Sequence, residues 1–316
     1  VLAGGERFFA AQSPLVMFEV KHAAQWNLTL IGEFERRGYA LFRHLPELAM
    51  LVPFDATLPG QDRLLNLFAC KPDRQQWLVE RGLLAADAAP ASVEPTDHDV
   101  AMALDWLPAL PFAEGMAVPA GDAGLADRYR RALALAAAAQ RAGTPAEYRW
   151  ACARAARTLM AVPAAAEAGA DAGLRRAATM LSAHLDAALG QTTPALVTVA
   201  ALLRSWPAQT PELPLCMPML RASLAQAREG DASAWMLQQL AEFLHLQSSL
   251  ATYCLPADPA VLRQLLQSPS HSAEIERRYV LGQVRANQPV DRSLLRWLPD
   301  PRHTANPAVW QAVLAA

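Results

Sequence analysis

An α/β N-terminal part followed by an all-α helical domain is the fold class that this sequence predicts. Three observations carry it. Between Pro14 and Pro72, strand-like apolar runs alternate with one helix-like stretch. Residues 85–123 are punctuated by Pro90, Pro95, Pro108, Pro111 and Pro119. From Leu125 onward the pattern is helical, with Pro and Gly at the breaks.

The first apolar run, Leu15-Val16-Met17-Phe18, ends in Glu19-Val20-Lys21-His22. Trp26 to Arg37 reads as a helix, with Leu28, Ile31 and Phe34 forming a narrow apolar stripe. Asn27 suits its N-cap, and Gly38 suits the residue just past its end, where left-handed angles are tolerated. Tyr39–Arg43, Met50–Pro53 and Leu64–Cys70 read as strands. Asp73 to Arg81 reads as a short helix closed by Gly82. A buried strand this close to the first residue lacks a neighbour on one side. Either another molecule supplies that neighbour or the protein begins further upstream, and Val1, not Met, fits a truncated or processed chain.

Segments 1–84, 85–123 and 124–316 are therefore expected as an α/β part, a Pro/Ala-rich linker and a helical domain. Asp99 to Leu107 can form a turn or two of helix inside the linker. The expected later helices are 125–141, 145–160, 172–189, 194–205, 214–228, 233–249, 259–266, 273–286, 292–297 and 307–314. Pro145, Pro194, Pro259 and Pro307 stand at helix starts, and Gly143, Gly190 and Gly230 at helix ends. Helix pairs of this length fit a solenoid, yet no motif recurs at fixed offsets. An irregular bundle and a degenerate solenoid both remain open.

Composition bounds the function classes. The 316 residues suffice for two cores, and 53% hydrophobic content excludes global disorder. A net charge of −2 gives no electrostatic reason to expect nucleic acid or an anionic membrane as partner. No apolar run reaches the roughly 20 residues that span a bilayer, and no signal-peptide pattern opens the chain. Cys70, Cys152, Cys216 and Cys254 form no C-x-x-C pair, so neither a zinc site nor a disulfide framework is indicated. Free, mostly buried thiols in a reducing, cytoplasmic setting are expected.

The Pro14–Pro72 segment resembles the C-terminal half of FkbM-type S-adenosylmethionine-dependent methyltransferases. The resemblance rests on Ser13-Pro14-Leu15-Val16-Met17-Phe18-Glu19 as a late strand ending in an acid. It continues in Phe34-Glu35-Arg36-Arg37-Gly38-Tyr39-Ala40-Leu41-Phe42 and closes in Asn66-Leu67-Phe68-Ala69-Cys70-Lys71-Pro72, the last strand. Val1-Leu2-Ala3-Gly4-Gly5 would be the end of the helix before the Glu19 strand. The resemblance implies the distal half of a Rossmann-like class I methyltransferase sheet, and a parent reaction that moves a methyl group from S-adenosylmethionine to an oxygen of a small molecule or sugar. The chain departs from the family where the cofactor is bound. No strand leads into an acidic Gly-rich turn of the D-x-G-x-x-x-G type, and Gly4-Gly5 does not supply one. The acidic motif of the family's fourth strand is absent too. The chain is thus expected to be inactive alone.

Candidate site residues follow from position. In an open α/β sheet, ligands lie beyond the C-terminal ends of parallel strands, where Glu19, Lys21 and His22 fall. Glu19 and His22 are the candidate catalytic pair, His22 as general base for a hydroxyl or as a hydrogen-bond donor. The commoner roles for such residues are amide capping for Glu19 and an exposed loop position for His22. Lys21, Trp26 and Asn27 are candidate substrate-binding residues, although Trp26 also suits a staple contact and Asn27 a cap. Asp73 is expected as an N-cap. The scattered histidines have no metal-ligand spacing, and no metal is expected. The alternative reading is a non-enzymatic helical-repeat protein, in which residues 125–316 bind a protein partner or self-associate.

Overall fold

The computed structural model of the chain describes residues 3–22, 25–57, 64–86, 93–96, 98–101, 116–117, 124–141, 143–161, 172–206, 213–214, 232–248, 259–285, 288–289 and 293. It divides into two compact units, residues 1–107 with 118–198, and residues 108–117 with 199–316. The expected division near residues 84 and 124 follows sequence character, whereas this one follows compactness.

The first unit opens with a 3-10 turn at Ala3–Gly5 and helix α1 (Glu6–Ala11). The helix before the Glu19 strand therefore runs past Gly5, where the resemblance placed its end. Strand β1 (Val16–Glu19) leads through β2 (Lys21–His22) and β3 (Gln25–Trp26) to helix α2 (Leu28–Arg36). Strands β4 (Ala40–Leu45), β5 (Met50–Pro53) and β6 (Asn66–Cys70) and helix α3 (Pro72–Val79) follow. The main sheet has the order β1-β6-β4-β5, and every ladder in it is antiparallel. Since β1 and β4 each oppose β6, they run in the same direction. The result is a split β-α-β unit, two like-directed strands joined by α2 with β6 between them.

Alternation along the strands serves two layers. On one face Val16, Phe18, Leu41, Leu67 and Ala69 meet α1 and α2. Phe34 of α2 is 1% exposed and stacks on Phe18 at 4.4 Å, while Tyr39 meets it edge-on at 5.7 Å. Of the predicted Leu28, Ile31, Phe34 stripe, Ile31 and Phe34 are buried, and the side chain of Leu28 lies outside the described residues. On the other face Phe42, Leu51 and Cys70 pack against Leu78 of α3 and against Leu84. Gly38 and Gly82 both have positive φ, as the helix ends require.

Two readings are corrected here. Asp73 is not the N-cap of α3. Lys71 holds that position, Pro72 is the first helical residue, and Asp73 in the first turn accepts from Ser13 Oγ at 2.5 Å. The start of the Pro-rich segment is also part of the fold. Leu84 bridges Leu51 in parallel, and Ala85 N–H donates to Leu51 O at 3.0 Å, so this segment borders the sheet beyond β5. Thr96 and Asp99 then form a reciprocal cap. The Asp99 carboxylate accepts from Thr96 N–H at 3.0 Å, and Thr96 Oγ1 accepts from Asp99 N–H at 3.1 Å.

Helices α4 (Gly124–Ala139), α5 (Ala146–Met160) and α6 (Ala172–Ala188) agree with the sequence expectations to within two residues. α4 is buried on most of its surface, and its many alanines, with side chains of a single methyl, allow close helix approach. Arg149 is the polar tie. It is 9% exposed, and its guanidinium donates to Ala139 O at 3.0 Å and to Leu48 O in the turn between β4 and β5. Asp186 is buried and receives two bonds from Arg157, at 2.5 and 3.2 Å. Burial raises the Asp186 carboxyl above its ordinary range, and Arg157 opposes that rise.

Helix α7 (Thr192–Arg204) spans the boundary between the units. The second unit holds strands β7 (Met116–Ala117) and β8 (Leu213–Pro214), paired in parallel, and helices α8 (Ala232–Ser248), α9 (Pro259–Leu266) and α10 (Ala273–Arg285). Leu262, Leu265 and Ile275 form a core there. Pro214 lies in β8 and not at a helix start, and the rest of the expected helix 214–228 lies outside the described residues, as do the expected helices 292–297 (Ser293 apart) and 307–314. No described helix is long and apolar enough to cross a membrane.

Two outcomes are expected. Arg149→Met leaves two buried carbonyls without a charged donor and should cost about 3 kcal/mol, read as a lower urea midpoint at unchanged m-value. An unchanged midpoint would show that the tie is dispensable. Cys70 and Cys152 are buried free thiols, each pushed by burial from 9.0 up to about 11. The folded state thus keeps protons that the unfolded state releases, so stability should fall as pH rises from 9 to 11. The double variant Cys70→Ala, Cys152→Ala should show a shallower fall over that window.

Candidate functional site

The sequence-predicted residues lie together in one short stretch, the connection from β1 to α2. Val20 extends β1 by one residue: its N–H donates to Leu65 O at 2.8 Å, and its carbonyl accepts from Asn27 N–H at 2.7 Å. Between these anchors the chain folds into a small antiparallel pair, Lys21 opposite Trp26 and His22 opposite Gln25. The backbone thus brings Lys21, His22, Trp26 and Asn27 to the end of β1, and the side chains of Lys21, His22 and Trp26 lie outside the described residues.

Glu19 stands opposite Asn66 of β6, and both are exposed. Among the described residues the Glu19 carboxylate accepts no hydrogen bond, so it does not cap amides. Its neighbour on the same face of β1 is Met17, which is 62% exposed. Asn27 is the N-cap of α2. Its Oδ1 accepts from Leu30 N–H at 3.0 Å, which leaves its amide nitrogen free of the cap.

The other side of β1 is an open border. The strand pairs with β6 alone, and no second strand adjoins it among the described residues. Exposed Leu15 and Met17 sit beside that border, with Phe8 of α1 also exposed. Gly4 and Gly5 belong to a 3-10 turn that enters α1, and no described strand leads into a glycine-rich acidic turn.

Sequence reasoning did not find a groove of about 750 Å³ in the second unit. Leu237, Ala241 and Leu244 of α8 form one wall, and Val261 and Leu265 of α9 the other. Gln238 at its base donates to Glu242 Oε1 at 2.7 Å and to Leu265 O at 3.1 Å. Glu242 also accepts from Ser272 N–H at 2.9 Å, so this buried carboxylate joins α8 to the turn before α10. The signal was in α8 itself. Trp235, Met236, Leu240 and Phe243 fill the core, while Ala234, Leu237, Ala241 and Leu244 form a second apolar stripe. Of the described residues, no three His, Cys, Asp or Glu gather as a metal site.

Asn27→Ala should destabilise the chain by about 1 kcal/mol through loss of the α2 cap, while Asn27→Asp should keep the stability. Thermal unfolding of the two variants checks this, and equal melting of Ala and wild type would remove the capping role. No protein-family model matches the chain, no curated protein matches it, and no solved structure matches it.

Proposed function

We propose that residues 14–72 are the distal part of a methyltransferase sheet, whose parent enzyme transfers a methyl group from S-adenosylmethionine to an oxygen of a small molecule or sugar. The observation that carries this reading is the split β-α-β unit with an unpaired β1 border. A sheet that continues past β1 would place further strands there, and with them the cofactor turn that the described residues lack. Glu19 and His22 would then stand at the acceptor end of the sheet. His22 would take the hydroxyl proton, and Lys21, Trp26 and the Asn27 amide would position the acceptor. No step is assigned to the cofactor among the described residues.

Isothermal titration of this chain with S-adenosylmethionine should show no saturable heat. Micromolar binding would overturn the division between a cofactor part elsewhere and an acceptor part here. The coding sequence upstream of Val1 gives the complementary test. A strand and an Asp-x-Gly turn are expected roughly 100–150 residues before it, by ordinary domain size. A start codon a few positions upstream would overturn the proposal.

A second reading, an interaction or self-association protein acting through its helices, is favoured by the apolar groove between α8 and α9. Leu237 and Val261 are 36% and 39% exposed at that groove. Sedimentation of the full chain and of Leu237→Glu decides this reading. A concentration-dependent association that the variant abolishes supports it, and a monomer at all concentrations ends it for self-association.

A further inference from the structure

Arg43 is the most anomalous charge in the first unit. It points from β4 to the face that carries Leu41 and Leu45, and it is 6% exposed. Its Nε has no hydrogen-bond partner, and no carboxylate stands within ion-pair range among the described residues. Burial alone accounts for the lowering of its pKa, so no neighbouring charge offsets the desolvation. A guanidinium in such a place costs several kcal/mol unless something pairs with it.

Its surroundings show what kind of partner fits. α6 ends in a Schellman turn: Gln191 N–H donates to Asp186 O at 2.7 Å and Gly190 N–H to Ala187 O at 2.9 Å, with Gly190 at φ +72°. The Asp186 and Ala187 carbonyls are thereby occupied, and two residues after Gly190 α7 begins at Thr192. The Arg43 guanidinium lies against this turn. A Cβ at Gly190 would stand 2.8 Å from Nη1 of Arg43 and 3.0 Å from Cδ2 of Leu45. Glycine is therefore needed twice over, for its backbone angle and for the space that the guanidinium takes. α7 is 13 residues long, and its first turn, Thr192, Thr193 and Pro194, lies at the positive end of the helix dipole. Gly190, Gln191 and Thr192 are each half-buried, which leaves an approach from solvent.

We propose that the α6–α7 turn, with the Arg43 guanidinium and the N-terminus of α7, binds an oxyanion, the phosphate or carboxylate group of a small ligand. The guanidinium presents a planar fork of donors, which suits either group in a two-bond arrangement. The site is independent of the β1–α2 connection and of any methyl transfer.

The test uses the full chain with inorganic phosphate and with acetate, each against sodium chloride at equal ionic strength. The wild type should show a saturable rise in Tm of about 5 °C at a hundredfold excess over Kd in at least one of the two anions. The anion that gives it identifies the group. Arg43→Met should be at least as stable as wild type without added anion, since it removes an unpaired buried charge, and should lose the rise. Arg43→Lys keeps the charge and loses the fork, so its titration midpoint should move to about tenfold higher concentration. Equal stabilisation by chloride, or a rise retained in Arg43→Met, overturns the proposal. If Arg43→Met does not fold, the Lys variant decides alone, and an unshifted midpoint there overturns it.

Discussion

The first unit depends on how the turn between β4 and β5 is satisfied. In that turn, Pro46 to Leu48, Leu48 is buried, and its carbonyl needs a donor from the protein. A buried carbonyl without a donor costs on the order of 1–3 kcal/mol. Arg149 answers this from α5, and the same guanidinium also closes the end of α4 through Ala139 O. One side chain thereby fixes three elements, a hairpin turn and two helices. The Ala-rich faces of α4 and α5 supply the burial but little direction, because alanine surfaces pack well in many registers. The Arg149 fork supplies a direction, since its donors meet only one arrangement of carbonyls.

Much of this architecture was legible beforehand, and the reasons are local. Met50–Pro53 was bounded by its own apolar run, and the helices over 125–141, 145–160, 172–189 and 259–266 by Pro and Gly at their ends. Asn27 and Gly38 mark α2 because capping chemistry is local as well. The features that were not legible are long-range. Sheet order depends on which strand β6 enters between, and no residue in Asn66–Cys70 states that. Asp73 was misread because a cap and a first-turn acid look alike in sequence, and Ser13, sixty positions away, settles its partner. Ala85 looked like the start of a linker, since its Pro-rich context outweighed a hydrogen bond to Leu51 that no window of sequence contains.

The candidate site divides in the same way. Glu19, Lys21, His22, Trp26 and Asn27 were grouped by position at the end of a strand; Glu19 closes β1, and the backbone folds the other four between Val20 and α2. What sequence left ambiguous was role. Asn27 spends its carbonyl on the helix, and Glu19 faces solvent with no amide to cap. The groove in the second unit escaped notice for a different reason. A helix that is apolar on two sides reads simply as buried, and only the tertiary arrangement tells a filled face from an open one.

The two borders of the main sheet are unequal. Beyond β5 the chain itself closes the border, through Leu84 and Ala85 on Leu51. Beyond β1 nothing among the described residues does so, and the four residues there include a single charge, Glu19. Natural sheets guard such borders with lysines, prolines or bulges, and Val16–Glu19 carries none of these. The sheet is in this sense vectorial. It can be lengthened on one side only, so any strand that joins it, from this polypeptide or another, must enter beside Met17 and extend the face on which Glu19 stands.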